Sequence, residues 1–397
     1  MAVQDDAARL PQQRSSLIYD PRFRGVVFQA LLAVGLVLFV AWIASNTIDN
    51  LQRAHIASGF GFLWARAGFD ISQTLIPYSA EMSYGRAFLV GLLNTLLVAA
   101  LGIVFASIIG FMLGIARLSK NWLIAQISTI YIETLRNIPV LLQLLFWYKA
   151  VLSILPSPRQ GFDLPLDVKL SNRGLIIPQP IFESGFMATV IAIVVALVVI
   201  AILARWAHVR QMATGQIFPT FKVGLGILIL LPVIVFIVTG KPASFDLPEL
   251  KGFNYVGGTH IKPEFMALLL GLTLYTATYI GEIVRAGILA VAHGQTEASY
   301  ALGLRPGTTL RLVIIPQAMR VIIPPLTSQY LNLTKNSSLA VAVGYPDLVS
   351  VFSGTVLNQT GQAVEVIFIT MLVYLTISLA TSGFMNWFNQ RVALVER

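Results

Sequence analysis

The sequence has no cysteine, so no disulfide, thiolate metal site or cysteine nucleophile can be built from it. Charge is scarce too: Asp, Glu, Lys and Arg make up 11% of 397 residues, against 56% for the hydrophobic set, which excludes an ordinary soluble surface. The four histidines, His55, His208, His260 and His293, fall in loops without triad or metal-ligand spacing, so no catalytic constellation and no metal site emerges. Nowhere does Gly-x-x-x-x-Gly-Lys-Ser/Thr occur, and nucleotide hydrolysis therefore has no phosphate-binding loop in this chain. The formal charge of +9 is spread singly between apolar runs, which argues for membrane topology signals and against nucleic-acid binding.

What the sequence does contain is apolar spans. Eight crossings are expected: Gly25–Ala44, Ala87–Ala116, Pro139–Leu155, Gly185–Ala204, Val223–Val238, Pro263–Val284, Leu312–Leu333 and Glu365–Phe388. The fold class is thus an all-α, multi-pass membrane protein in contact with lipid. Arg9, Arg14, Arg22, Arg24, Arg117, Lys120, Arg205, Arg210, Lys222, Arg305, Arg311, Arg391 and Arg397 concentrate in one set of short connections, which places both termini on the inner side. The polar front does not read as a short cleavable signal. The expected organisation is an inner tail at 1–24, a first span and outer loop at 25–86, a transmembrane domain at 87–388 with extra spans and loops inserted about 156–262, and an inner tail at 389–397. The outer loops mix Pro, Gly and aromatic residues, as in Gly59-Phe60-Gly61-Phe62-Leu63-Trp64. They are read as a small cap or as aromatic packing at the membrane interface.

Between spans six and seven, Gln295 to Leu302 are adequate helix formers, and Gly303 suits the left-handed position after a short helix. Gly294 is read as loosening the end of the preceding helix, Pro306-Gly307 as a turn, and Thr308 as the cap of a helix near Leu310. The result is a two-turn rod across the inner face, with Ala298, Ala301 and Leu302 as a small apolar stripe beside Glu297. The alternative is a plain connecting loop.

Glu297-Ala298-Ser299-x-x-x-Gly303, nine residues, then Val313-x-Ile315-Pro316 resembles the EAA motif of membrane subunits of bacterial ABC importers, with Ser299 replacing the second alanine. Thr134 to Gln143, Gly281 to Gly287, Pro316 to Arg320 and Leu333 to Leu339 resemble the polar amino-acid branch, which handles histidine, glutamine or glutamate. The longer layout, with spans one, four and five added to a five-span core, is similar to Q-type permeases of general L-amino acid importers. The resemblance implies a type I importer fold in an inner membrane and an ATP-driven amino-acid permease working by alternating access. It also implies a coupling helix formed by Glu297, Ala298, Ser299, Ala301, Leu302 and Gly303. The partners it implies are a homodimeric ATPase, which holds the ATP and Mg while this chain binds no cofactor, a second homologous permease in a heterodimer, and a periplasmic amino-acid-binding protein.

Charges within spans are functional candidates, with structural pairing as the competing explanation. Glu282 and Arg285 are one helical step apart and are read as a structural or gating pair, and Glu133 and Arg136 as mutually paired or snorkelling. Pro316, Pro324 and Pro325 are expected to break span seven, and a helix restarting at Ser337 to Leu339 would point N–H groups into a wet cavity beside Lys335. Lys335, Asn336, Ser337 and Ser338 are therefore substrate-path candidates, or else caps of the following helix. Gln143, Tyr148, Tyr275, Thr276, Tyr279, Asn94 and Thr95 are further polar candidates, each of which could instead bond to its own backbone. An ion-coupled secondary transporter is the competing function, disfavoured by the lack of mid-span carboxylates; a membrane-embedded enzyme is a third reading.

Overall fold

The computed structural model describes residues 21–53 and 58–392. Residues 1–20, which include Arg9 and Arg14 of the expected inner tail, His55, and the last five residues, which include Arg397, lie outside them. The first span, α1 (Pro21–Arg53), is apolar on every side, and its apolar side chains, such as Leu32 and Val37, are exposed in the isolated chain. A short 3-10 turn at Phe60–Trp64 follows, with Phe62 buried against Tyr84 and Phe352 while Trp64 stands exposed. Within that aromatic stretch, one ring is core and its neighbour is surface.

The core is built around α2 (Tyr84–Arg117), whose face Gly102, Ala106, Gly110 and Gly114 is buried. Small residues four apart let two helix axes approach closely, as in membrane helix pairs generally. At Gly110 a Cβ would stand 2.5 Å from Ile280, and at Gly114 it would stand 2.6 Å from the Gly281 carbonyl oxygen. Both neighbours belong to α7 (Pro263–Leu289), the central helix of the bundle.

The expected third crossing, Pro139–Leu155, is longer and bent. Asn121 accepts from the Leu123 and Ile124 N–H groups and starts α3 (Trp122–Arg136), an amphipathic helix that hydropathy alone did not mark as part of a span. A bend of 104° at Asn137–Pro139 leads into α4 (Val140–Leu145) and a π-helical stretch at Phe146–Val151. Pro139 supplies no N–H and disfavours helix at Ile138, which fixes the break there.

The inserted segment holds the helical hairpin α5 (Phe186–Thr214) and α6 (Thr220–Val238), which pack chiefly on each other. Around it, the outer loops form strands, a correction to the purely helical expectation within a chain that is otherwise a helical membrane fold. A four-stranded antiparallel sheet runs β1 (Phe162–Leu164), β2 (Val168–Ser171), β3 (Gly174–Ile177), β8 (Thr259–Ile261). Two ribbons, β4 (Gln179–Phe182) with β5 (Ala243–Asp246) and β6 (Glu249–Lys251) with β7 (Asn254–Val256), complete a cap above the start of α7.

After α7 come α8 (His293–Ala301), α9 (Pro306–Thr309) and α10 (Ile315–Asn336). The anticipated break of span seven does not occur. Pro316 lies just behind a π-helical stretch at Leu310–Ile314, and the helix runs on past its missing donor. Pro324 and Pro325 lie inside a helix that runs on through them. At its far end the coil tightens into a 3-10 segment, Ser337–Val343, without a restart. A π-helical stretch at Val349–Val356, α11 (Leu357–Thr360) and α12 (Ala363–Val392) finish the chain. Among the described residues, seven helices are long and apolar enough to cross a membrane, or eight where the bent α3–α4 pair counts as one span.

Candidate functional site: an inner knob and a polar pocket along the central helix

Gly303 adopts φ 74°, the left-handed conformation anticipated after the short helix. Its N–H donates to the Tyr300 carbonyl and the Leu304 N–H to that of Ser299, closing the helix end. Gly294, by contrast, lies in the first turn of α8 and is no hinge. Thr308 caps nothing: the next helix begins at Pro306, with Arg305 in the capping position.

Ser299 is the buried residue of α8; its hydroxyl donates to the Gln295 carbonyl at 2.7 Å. Gln317 on α10 donates to the Gln295 side chain at 3.2 Å, which ties the knob to the long helix behind it. A small side chain at 299 lets α8 rest on the Leu310–Ile314 stretch. Glu297, Ala298, Ala301 and Leu302 face outward, with Leu302 80% exposed. His293 lies 3.0 Å from Glu297, one turn along the same face.

The charged residues near the inner ends of the spans assemble differently from the sequence reading. Glu282 and Arg285 do pair, at 2.5 Å. Glu133 does not pair with Arg136: it meets Arg117 from α2 at 2.9 Å, while the Arg136 guanidinium stacks over the Tyr279 ring at 5.2 Å. Arg117 also reaches Glu282 at 2.5 Å, so one arginine joins α2, α3 and α7. Sequence spacing could not find it, because its partners are distant in the chain.

The polar path candidates divide into four groups. Tyr275, Thr276, Tyr279 and Asn336 come together in a cavity of about 300 Å³, joined by Gln329 and Asn332, which the sequence reading missed. The Tyr275 and Tyr279 hydroxyls are 3.0 Å apart. Gln329 and Asn332 are one helical turn apart on α10, and Asn336 is one turn further, a polar stripe that could have been read from the sequence.

Asn94 and Gln143 commit their amide N–H groups, and Thr95 its hydroxyl oxygen, to backbone, while the Asn94 Oδ1 and Gln143 Oε1 oxygens are buried without a partner. Asn94 donates to the Gln73 and Pro346 carbonyls, each at 2.9 Å, and Thr95 accepts from the Leu348 N–H at 3.0 Å. Gln143 donates to the Leu135 and Ile138 carbonyls at 2.7 and 2.9 Å and stitches the α3–α4 bend.

Lys335, Ser337 and Ser338 are not in the cavity lining. Lys335 is exposed, Ser337 is fully buried and donates to the Thr334 carbonyl, and Ser338 donates to that of Lys335. Tyr148 lines a separate outer cleft, where it donates to Glu264 at 3.1 Å.

Residues 210–394 match the family model described as binding-protein-dependent transport system inner membrane component. The chain is 56% identical, over 382 residues, to the general L-amino acid transport system permease protein AapQ of Rhizobium johnstonii, covering 96% of this chain and 95% of that one. This chain belongs to the amino-acid ABC transporter permease family. It is also similar to the glutamate/glutamine/aspartate/asparagine transport system permease protein BztB of Rhodobacter capsulatus, 43% identical over 431 aligned positions and the full length of both chains. As a permease of this family it is a multi-pass inner-membrane subunit of an ABC importer for amino acids. The ion-coupled alternative is not favoured by these relatives.

Proposed function

We propose that this permease forms half of a translocation path that alternates between outward and inward access, driven through α8 by an ATPase homodimer that binds ATP and Mg. A second, homologous permease supplies the other half, and a periplasmic binding protein delivers the L-amino acid. The observation that carries the coupling role is the one-sided anchoring of α8: Ser299 is buried and Gln295 is tied to Gln317, while Glu297, Ala298, Ala301 and Leu302 are exposed and free to enter a groove. Leu302 is costly to leave in water, which gives a partner surface something to bury. The geometry also supports Tyr275, Tyr279, Gln329, Asn332 and Asn336 as the substrate-facing set, since they line a polar cavity between the middle of α7 and the far end of α10. Arg117, Glu133, Glu282 and Arg285 serve as an inner clasp that holds α2, α3 and α7 together as the path opens and closes.

The test is purification of the transporter with Glu297→Lys or Gly303→Asp in this chain. Both substitutions should leave the permease folded but release the ATPase or disconnect ATP hydrolysis from uptake. Retained co-purification together with normal ATP-driven uptake in both variants sinks the coupling role.

A further inference from the structure

A second polar cavity, of about 410 Å³, opens on the outer side between the inserted cap and the core. The cap contributes Arg173 and His260; the core contributes Tyr148 and Lys149 from the π-helical stretch, and Lys262 and Glu264 from the start of α7. The position of Arg173 is enforced. It lies in the tight β2–β3 turn, and Gly174 (φ 107°) brings that turn so close to the end of β8, just before α7, that a Cβ there would stand 2.1 Å from the Ile261 carbonyl oxygen. Three permanent cations thus share a cleft with one carboxylate, Glu264, which accepts from the Tyr148 hydroxyl.

This charge pattern is the complement of a zwitterion: cations for a carboxylate and a carboxylate for an ammonium group, in a cavity large enough for a single amino acid. Its placement adds to the argument. Glu264 and Tyr275 are eleven residues apart on α7, about 16 Å along the axis and on nearly the same helical face. The outer cleft and the polar cavity of Tyr275 and Tyr279 therefore lie on one stripe. Between them the stripe is closed by Leu268 and by Leu144, whose side chain rests on Gly271, where a Cβ would stand 2.5 Å from it. Leu144 precedes Tyr148 by one turn, so the residue that closes the stripe and a residue of the outer cleft share one short helical segment, which is π-helical at Phe146–Val151.

We propose that the cleft between cap and core is an outer L-amino-acid site, in which Lys149, Arg173 and Lys262 take the α-carboxylate and Glu264 takes the α-ammonium group. The Leu144–Gly271 contact separates this site from the inner cavity in the state described. The inference rests on the amino-acid transport shown by the family and is independent of whether the inner cavity is the substrate site.

The absence of cysteine supplies the test. Ser153→Cys places one thiol of this chain at the cleft wall in the assembled transporter. Without binding protein, L-glutamine, L-leucine or L-histidine at ten times its half-protecting concentration should slow maleimide modification about tenfold by mass action. The matching acids without the amino group and amines without the carboxyl group should protect far more weakly. Arg173→Gln and Glu264→Gln in the same background should raise the half-protecting concentration about tenfold each, the effect of losing one charged contact. Asn332→Leu, in the inner cavity, should leave it unchanged. The proposal is overturned if none of the three amino acids protects, if both cleft substitutions leave protection intact, or if Asn332→Leu abolishes it. Protection by binding protein alone, with none by free amino acid, would instead make the cleft a protein-docking surface and also overturn it.

Discussion

Arg117, at the inner end of α2, reaches Glu282 on α7 at 2.5 Å and holds Glu133 on α3 at 2.9 Å. Arg117 and Glu282 are largely shielded, whereas Glu133 is more than half exposed. Arg117→Gln should therefore cost about 1.5–3 kcal/mol, the range for hydrogen bonds to charged groups. Glu133→Gln should cost under about 1 kcal/mol, since exposed pairs are screened by water. Thermal unfolding of the purified transporter in detergent compares them; equal losses would show that Arg117 does not join the three helices as a unit.

The glycines of α2 and α8 make opposite predictions. Gly114→Ala forces a Cβ to within 2.6 Å of the Gly281 backbone oxygen, and the helix pair must move apart. The expected loss is about 1–3 kcal/mol, typical of overpacking. Gly294 faces open space inside a helix, so Gly294→Ala should be neutral or stabilise by about 0.5–1 kcal/mol. Melting temperatures that fall alike for both would contradict the close α2–α7 contact.

Burial raises the Asp347 carboxyl from the ordinary carboxylate value to about 7. It lies in the connection after Val343, fully shielded, with one oxygen accepting from the Ser350 N–H at 2.8 Å. A carboxyl raised on folding favours its neutral form, so its contribution to stability is complete below the unfolded value near 4 and is lost as pH rises through about 7. Asn at this position keeps the acceptor for Ser350 but cannot ionise. Wild type should lose more thermal stability between pH 5 and pH 8 than Asp347→Asn; parallel pH profiles would show that Asp347 does not titrate in that window.

Lys335 and Asn332 stand on the same helix and are both exposed in the isolated chain, but only Asn332 lines the inner cavity. Asn332→Leu should cut uptake across a panel of L-amino acids about tenfold, corresponding to the loss of one good polar contact. Lys335→Ala should leave uptake within about twofold, as expected for an exposed charge. Uptake that falls with Lys335→Ala and not with Asn332→Leu would transfer the substrate role to the Ser337 end of α10.

Local rules read along the chain were enough for some features and blind to others. The spans were legible because lipid demands long apolar stretches, and α8 was legible because Gly303 closes it within its own few residues. Even the Glu282–Arg285 pair followed from helical spacing. The strands of the cap were not legible, because each is three or four residues long and pairs with partners as distant as β3 and β8. Nor was the continuous course of α10, since a proline disrupts only the bonds it cannot make, and the burial of the neighbouring Ile322, Ile323 and Leu326 holds the rest of the coil.

By itself the sequence determined a many-spanned membrane chain and a short helical knob between α7 and α10, because hydropathy and helix termination act within a few turns of chain. Only the tertiary structure decided which polar groups share a cavity, that Arg117 and not Arg136 meets Glu133, and that Asn94, Thr95 and Gln143 spend their hydrogen bonds on distant or bent backbone. Those outcomes depend on how closely helices approach. That approach is set by where glycine and alanine of one helix meet the side chains of another far along the chain.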